Sequence, residues 1–273
     1  MPAPSTRVPA LARSRDMTSS ASGPTRLGIV DWGIGGLGLL GLLDERVPDL
    51  DVTYWSDTGT VPYGLQPTGA LAERLRVVVR ALADRGCTEV VLACNAASTV
   101  VDRLSAGSIP VDGIIAAGVA AVPDDLDGVI GVVAGRRTIQ AGVYRRALNR
   151  PGRTVVSRVA QPLSGHIEAG RIGTVAFADD LRRIVAPLRG ADAVVLACTH
   201  YPAAAEAFAE ALPGTLLVDP AVHLADELAA RVTGSARVTG ERTIVTTGDP
   251  ELMRASALAA WGMRLGPIGA EVS

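Results

Sequence analysis

Short apolar runs alternate with longer segments of helical period along almost the whole chain, from Leu27 onward. Runs this short, separated by amphipathic stretches, are typical of parallel strands joined by crossover helices. The pattern predicts strands at 27–31, 51–55, 89–93, 111–115, 129–133, 153–158, 193–197, 215–218 and 243–247. It predicts helices at 68–85, 138–149, 174–188, 221–233 and 250–260. We therefore expect an α/β protein with mostly parallel sheets.

One pentapeptide, Val-Val-Leu-Ala-Cys, occurs twice, at 90–94 and at 194–198. A weaker repeat sets Gly-Ile-Val at 28–30 against Gly-Val-Val at 131–133. This duplication predicts two pseudosymmetric lobes, each a sheet flanked by helices, with the active site in the cleft between them. The expected division is a flexible N-terminal extension at 1–26, a first lobe at 27–113 and 219–273, and a second lobe at 114–218.

Composition narrows the class of protein further. No apolar stretch approaches the roughly 20 residues that a membrane helix needs, and a net charge of -2 gives no reason to expect nucleic acid or a membrane as partner. Three scattered cysteines do not make a disulfide framework, so we expect reduced thiols and a cytoplasmic protein. All 26 basic residues are arginine, so no lysine is present to hold pyridoxal phosphate as a Schiff base.

Polar residues follow the predicted strands where their carboxyl ends should meet. In an open α/β sheet this edge faces the ligand crevice. The residues concerned are Asp31 and Trp32, Asp57 and Thr58, Cys94 and Asn95, and Cys198, Thr199 and His200, with the loop that contains Tyr63 and Gly64 beside them. The sequence therefore predicts one polar cleft lined from several strands.

The glycine-rich stretch at 33–38 admits two interpretations. It fits G-x-G-x-x-G, and Asp57 follows at the distance expected of a ribose-binding acid in a dinucleotide fold. Against a nucleotide, Asp31 and the bulky Trp32 stand between the strand and the first glycine, where a phosphate favours neither. The glycines could instead serve a tight turn from strand to helix.

The cysteines and the residues near them divide into candidate catalytic groups and ordinary ones. A single cysteine after an apolar strand is most often a small buried hydrophobe. Cys87, which follows Arg85 and Gly86 at a predicted helix end and has no counterpart in the repeat, is also expected to be an ordinary buried residue. The duplication favours a chemical role for Cys94 and Cys198, and an imidazole at His200 could share a proton with the second thiol. His166 and His223 have no such neighbour, while Asp31 and Glu168 have the alternatives of a helix N-cap and a surface carboxylate.

These same residues resemble the motifs of the aspartate/glutamate racemase family. The chain has D-W-G-I-G-G-L at 31–37 against D-S-G-x-G-G-L, D-T and V-P-Y-G at 57–64 against D-T-x-x-x-P-Y-G, C-N-A-A-S at 94–98 against C-N-T-A-S, and C-T-H-Y-P at 198–202. The resemblance covers essentially residues 27–262. It implies a racemase that needs neither cofactor nor metal, acts on glutamate or a related amino acid or carboxylate, and provides a D-amino acid for cell-wall peptidoglycan or another product. A homodimer is one assembly open to it.

The resemblance also implies roles for individual residues. Cys94 and Cys198 would flank the substrate's α-carbon, one removing its proton and the other supplying a proton to the opposite face. Proton handling would be assisted by Asp31, Glu168 and His200. The amino acid would contact Trp32, Tyr63, Gly64, Asn95, Ala96, Thr138 and Thr199.

Four positions depart from the family's motifs. Where this chain has Trp32, the family has Ser; where it has Ala96 and Gly135, the family has Thr; and where it has Gln161, the family has Cys. Losing a hydrogen bond to a charged group costs roughly 1.5–3 kcal/mol, so turnover of free glutamate is expected to suffer. Two alternatives stay open: a decarboxylase or cis-trans isomerase on the same scaffold, and a ligand-binding protein with weak activity.

Overall fold

The computed structural model describes residues 26–104, 109–232 and 239–271, and it contains two parallel sheets. The first has six strands in the order β10-β9-β2-β1-β3-β4 and the second has four in the order β6-β5-β7-β8. The strands are β1 (Arg26–Asp31), β2 (Asp51–Ser56), β3 (Glu89–Leu92), β4 (Val111–Gly113), β5 (Gly128–Ala134), β6 (Arg153–Val159), β7 (Ala193–Ala197), β8 (Leu216–Val218), β9 (Arg242–Thr246) and β10 (Ile268–Ala270).

Helices connect these strands and cover the sheets. They are α1 (Leu37–Arg46), α2 (Thr68–Asp84), α3 (Asn95–Ser98), α4 (Ile114–Ala120), α5 (Arg136–Ala141), α6 (Val143–Leu148), α7 (Gln161–Glu168), α8 (Val175–Val185), α9 (Ala205–Ala211), α10 (Pro220–Val232) and α11 (Pro250–Trp261). Short 3-10 turns occupy Val101–Arg103, Ala186–Leu188 and Tyr201–Ala204. The predicted α/β class is therefore confirmed.

Each sheet is buried on both faces because successive side chains of a strand point to opposite sides. In β1, Ile29 packs with α1, α10 and α11 on one face, while Val30 packs with α2 on the other. In β7, Val194 belongs to the cluster under α8 and α9, and Val195 to the cluster that includes Tyr144 of α6. This two-sided burial explains why the strands appear in the sequence as unbroken apolar runs.

Two predicted elements differ from the structure. The helix predicted at 138–149 is two helices, α5 and α6, because Gly142 between them adopts the left-handed conformation with φ 64°. The strand predicted at 111–115 ends at Gly113, and Ile114 already begins α4.

The predicted division into lobes remains a prediction. The six-stranded sheet takes its strands from 26–113 and 242–270, and the four-stranded sheet from 128–218. Apart from Arg26, which opens β1, the predicted extension at 1–26 lies outside the described residues. Within the described ranges, no helix has the length and apolar character needed to cross a membrane.

Candidate active site

The two cysteines of the repeated pentapeptide lie at matching places in the two sheets. Cys94 follows β3, which pairs with β1, and Cys198 follows β7, which pairs with β5. The two ends meet, since Thr199 Oγ1 donates a hydrogen bond of 2.9 Å to Asp31 Oδ2 at the end of β1. The thiols also interact electrostatically, because negative charge on Cys198 raises the pKa of Cys94. The structure therefore brings both thiols to one cleft between the sheets.

Cys94 lies in surroundings that favour its neutral thiol. Burial raises the pKa of Cys94 well above its usual range, and the carboxylate of Asp31 raises it further. Hydrogen bonds from the backbone amides of Ala97 and Ala96 oppose this rise without cancelling it. Cys94 is also the N-cap residue of α3, so those amides are among the N–H groups that have no partner within the helix. At neutral pH this cysteine therefore holds a proton.

Cys198 is paired with a histidine and an acid. Its Sγ lies 3.9 Å from His200 Nδ1, and His200 Nε2 lies 2.5 Å from Glu168 Oε2. Burial lowers the pKa of His200, but the hydrogen bonds to Cys198 and Glu168 and their negative charges raise it well above its usual value. His200 is therefore an imidazolium at neutral pH, placed between a sulfur and a carboxylate.

The two acids predicted to assist the thiols both hydrogen-bond to other residues of the site. Asp31 is buried and accepts hydrogen bonds from Thr199 and, at 2.7 Å, from the backbone amide of Trp32. It is not a helix N-cap, since the N-cap of α1 is Gly36. Glu168, at the end of α7, is about a quarter exposed but directs its carboxylate inward to His200. Neither acid is a free surface group.

Asn95 presents an unused donor in the same region. Its Oδ1 accepts a 2.8 Å hydrogen bond from Tyr144 of α6, which fixes the side-chain amide. Its Nδ2 is buried and has no hydrogen-bond partner within the described parts of the chain. A buried, unpartnered donor is costly unless a ligand or water accepts from it. Asn95 is therefore poised to bind an acceptor in the cleft.

The other predicted contact residues surround this centre with differing exposure. Thr138 is buried at the start of α5, while Trp32, Gly64 and Ala96 are half-buried. The Trp32 indole N–H donates to the carbonyl oxygen of Thr60 at 3.1 Å. Tyr63 is buried, and its hydroxyl donates a hydrogen bond of 2.8 Å to Asp57 Oδ2. The Tyr63 hydroxyl thus ties its loop to Asp57.

The nucleotide interpretation of the glycine stretch does not fit the structure. A methyl group on Gly35 would collide with Thr199 and with the ring of His200, so the turn packs directly against the second sheet. Asp57, the candidate ribose ligand, is fully buried, and its oxygens accept from Arg74, Tyr63 and Thr247. The space for a pyrophosphate is filled by protein. The glycines instead allow the two lobes to approach closely.

Three residues near the site were not predicted. Tyr201, fully buried, donates 2.9 Å to the carbonyl oxygen of Ala160, and burial and the neighbouring Cys198 raise its pKa. The motif C-T-H-Y-P, which contains Tyr201, could have indicated that this residue lies near the site. No sequence motif marks Tyr144 or Arg137, because their contacts join distant parts of the chain. In the ranges that the structure describes, no cluster of His, Cys, Asp and Glu is arranged to hold a metal ion.

Comparison with known proteins agrees with this geometry. A profile of the Asp/Glu/hydantoin racemase family matches residues 45–228. A glutamate racemase from Deinococcus radiodurans is 34% identical over 90% of this chain and 88% of its own. A Thermus thermophilus glutamate racemase, solved with β-chloro-D-alanine, has a TM-score of 0.82 and 26% identity over 91% of this chain and 97% of its own. The Escherichia coli glutamate racemase, solved with L-glutamate and the activator UDP-MurNAc-Ala, has a TM-score of 0.72 and 27% identity over 85% and 94%.

Proposed function

Because this chain belongs to the Asp/Glu/hydantoin racemase family, we propose that it racemises an amino acid by proton transfer between Cys94 and Cys198 without a cofactor. Glutamate is the first candidate substrate, since the relatives from Deinococcus radiodurans, Thermus thermophilus and Escherichia coli are glutamate racemases and the last was solved with L-glutamate. Its product, D-glutamate, would then be available for cell-wall peptide.

One observation carries this proposal: the two thiols occupy equivalent strand ends, and each has its own set of proton-handling neighbours. Cys94 has Asp31, and Cys198 has His200 backed by Glu168. A racemase must remove a proton from one face of a carbon and return one to the opposite face. Two equivalent groups on two facing lobes satisfy that requirement.

The unequal surroundings of the thiols suggest the resting proton arrangement. Cys94 holds its proton, while the imidazolium of His200 lies 3.9 Å from the sulfur of Cys198, where its charge can balance that of a thiolate formed during turnover. The Cys198 thiolate takes the α-proton of one enantiomer, and the electron pair of the broken C–H bond stays on the α-carbon. The Cys94 thiol then protonates the opposite face. Each turnover thus moves one proton to Cys198 and takes one from Cys94, and turnover of the other enantiomer reverses this change.

The difficult step is formation of the planar carbanion, since an amino acid's α-proton is very weakly acidic. Donors that strengthen their bonds as charge develops on the substrate carboxylate lower this barrier most. The unpartnered Nδ2 of Asn95 is suitably placed for this role, and Tyr144 holds it in position. Thr199 donates a hydrogen bond to Asp31 and so fixes a carboxylate that could accept a hydrogen bond from the substrate amine.

The direct test is α-proton exchange in heavy water without pyridoxal phosphate. The protein is incubated with L- or D-glutamate, then with other amino acids, and deuterium incorporation and optical rotation are followed. Incorporation with loss of optical activity supports the proposal. Release of carbon dioxide from a malonyl acid, or a shifted double bond, would support the decarboxylase or isomerase instead, and binding without any exchange would support a binding protein.

Glu168→Gln is expected to shift the pH dependence of racemisation. Glu168 raises the pKa of His200, so its removal lowers that pKa and His200 loses its proton at a lower pH. The limb of the pH-rate profile that reports protonated His200 should shift to lower pH, and the rate at pH 8 should fall about 10- to 100-fold. Profiles of kcat/KM in both directions measure this, with exposed Glu210→Gln as control. An unshifted profile would remove Glu168 from the proton relay.

Restoring the family's hydroxyls at two of the departing positions is expected to raise activity on glutamate. Trp32→Ser combined with Ala96→Thr introduces two hydroxyls on half-buried residues of the cleft. If they bind the substrate, kcat/KM for glutamate should rise roughly tenfold or more. Each single variant and the thermal midpoint control for the loss of the Trp32–Thr60 hydrogen bond. Unchanged or lower activity in a folded double variant would count against this account of the two residues.

A further inference from the structure

Arg137 extends from the second sheet's side of the cleft to groups of the first. It lies in the first turn of α5, directly after β5. Its guanidinium donates three hydrogen bonds: from Nε to Thr99 Oγ1 at 2.8 Å, from Nη1 to the carbonyl oxygen of Gln66 at 2.7 Å, and from Nη2 to Thr68 Oγ1 at 3.2 Å. These partners fix the plane and the position of the guanidinium.

All three partners are neutral, so none of them balances the positive charge. Within the described ranges no carboxylate forms an ion pair with Arg137, in contrast with Arg74, which pairs with Asp57. The side chain is half-buried, and burial lowers its pKa, while negative charge on Cys94 opposes that change. A partly desolvated and uncompensated cation is unfavourable unless a ligand supplies the negative charge.

The position of the guanidinium places it on the Cys94 side of the cleft. Thr99 is the residue directly after α3, and α3 begins directly after Cys94. Helices α3 and α5 pack against each other across the two lobes. The neighbour of Arg137 in α5 is Thr138, which is buried. Arg137 thus holds the C-cap of α3, the short helix that has Cys94 as its N-cap and Asn95 as its first residue, and its charge interacts with that of Cys94.

We propose that Arg137 binds a carboxylate of the amino-acid substrate and so determines which substrates this cleft accepts. The inference rests on the proposed function. An arginine has more N–H donors than its three hydrogen bonds use, and the remaining ones on Nη1 and Nη2 can bind a carboxylate with two parallel bonds. Such an ionic contact would replace the hydrogen bonds to the substrate that Ala96 and Gly135, which carry no hydroxyl, cannot make.

The chemistry allows either the α-carboxylate or a side-chain carboxylate, and three ligands distinguish them. Binding of racemic glutamate, racemic glutamine and racemic isoglutamine is measured by calorimetry. Turnover does not change the composition of a racemate. Glutamine lacks the side-chain carboxylate and isoglutamine lacks the α-carboxylate. The proteins compared are wild type, Arg137→Gln, Arg137→Lys and, as matched control, Arg136→Gln, whose side chain is exposed next to Arg137.

Arg137→Gln should weaken glutamate binding about 10- to 100-fold, and Arg137→Lys should recover part of the loss. One amide should bind almost equally to wild type and Arg137→Gln, because it lacks the carboxylate that Arg137 contacts. Arg136→Gln should bind as wild type does. The inference is overturned by an equal loss for all three ligands, which indicates a clasp between lobes only, by no loss, or by a wild type that binds none of them.

The same proteins separate this inference from the proposed function. If wild type exchanges the α-proton and Arg137→Gln has the same KM and the same ligand binding, the racemase proposal stands and the proposed role of Arg137 is wrong. If wild type binds glutamate through Arg137 but exchanges no α-proton, the carboxylate site stands and the racemase proposal is wrong. Thermal midpoints near that of wild type show that the variants are folded.

Discussion

Replacing Cys94 or Cys198 with alanine is expected to lower racemisation about 10²- to 10⁴-fold, the range of a lost general acid or base. The two variants should differ in the exchange they retain. A protein with one thiol left can remove the α-proton of one enantiomer and return a solvent deuteron to the same face. Cys94→Ala and Cys198→Ala should therefore each exchange one enantiomer without inversion, and opposite ones. Nuclear magnetic resonance of L- and D-glutamate in heavy water measures both quantities.

The chain contains its own matched control for this experiment. Cys87 is also a cysteine, but it is buried at 3% exposure beneath α2, away from the cleft. Burial raises the pKa of its thiol. Cys87→Ala should racemise glutamate at the rate of wild type. Exchange of both enantiomers by Cys94→Ala or by Cys198→Ala would contradict a mechanism with one thiol on each face.

Replacing Asp57 with asparagine is expected to lower the free energy of unfolding by about 3–5 kcal/mol, the cost of breaking a buried ion pair. Asp57 is fully buried and accepts two hydrogen bonds from Arg74, of 2.9 and 2.5 Å. It also accepts from Tyr63, and from Thr247 near the end of the chain. The substitution leaves the Arg74 guanidinium buried without a counter-charge. Urea denaturation of the two proteins gives the difference.

A second ion pair on the same helix is the control for Asp57. Arg76 and Glu73 lie on α2 at an i,i+3 spacing, and both side chains are well exposed. Exposed pairs of this kind contribute little to stability. Glu73→Gln should therefore unfold at nearly the urea concentration of wild type. A similar midpoint for Asp57→Asn would show that the buried network is not what holds the loop at Tyr63.

Much of the site was predictable from local signals in the sequence. Cys94 and Cys198 end apolar runs, and parallel strands place such ends at one edge of a sheet. The contact between Cys198 and His200 was predictable as well, since the two residues are two positions apart. These predictions needed only the periodicity and the repeat, which report on residues close together in the chain.

Contacts between distant residues were not predictable in the same way. The sequence suggested a ribose ligand at Asp57, but its partner Arg74 faces it only after α2 packs on the sheet. Nothing in the sequence singled out Arg137, because its contacts with Gln66, Thr68 and Thr99 join segments that are far apart in the chain. Neither the ion pair nor the unbalanced charge is a property of a short segment.

The order of strands in the six-stranded sheet has a consequence for synthesis of the chain. Strand β2 pairs with β1 on one side and with β9 on the other, and β9 begins at Arg242. A ribosome therefore completes every strand of the four-stranded sheet, which ends at Val218, before it makes the outer neighbour of β2. Until then β2 presents an unpaired edge, the kind of surface on which nascent chains associate wrongly. Pairing of β9 with β2 thus covers a strand edge that has been exposed since the first strands left the ribosome.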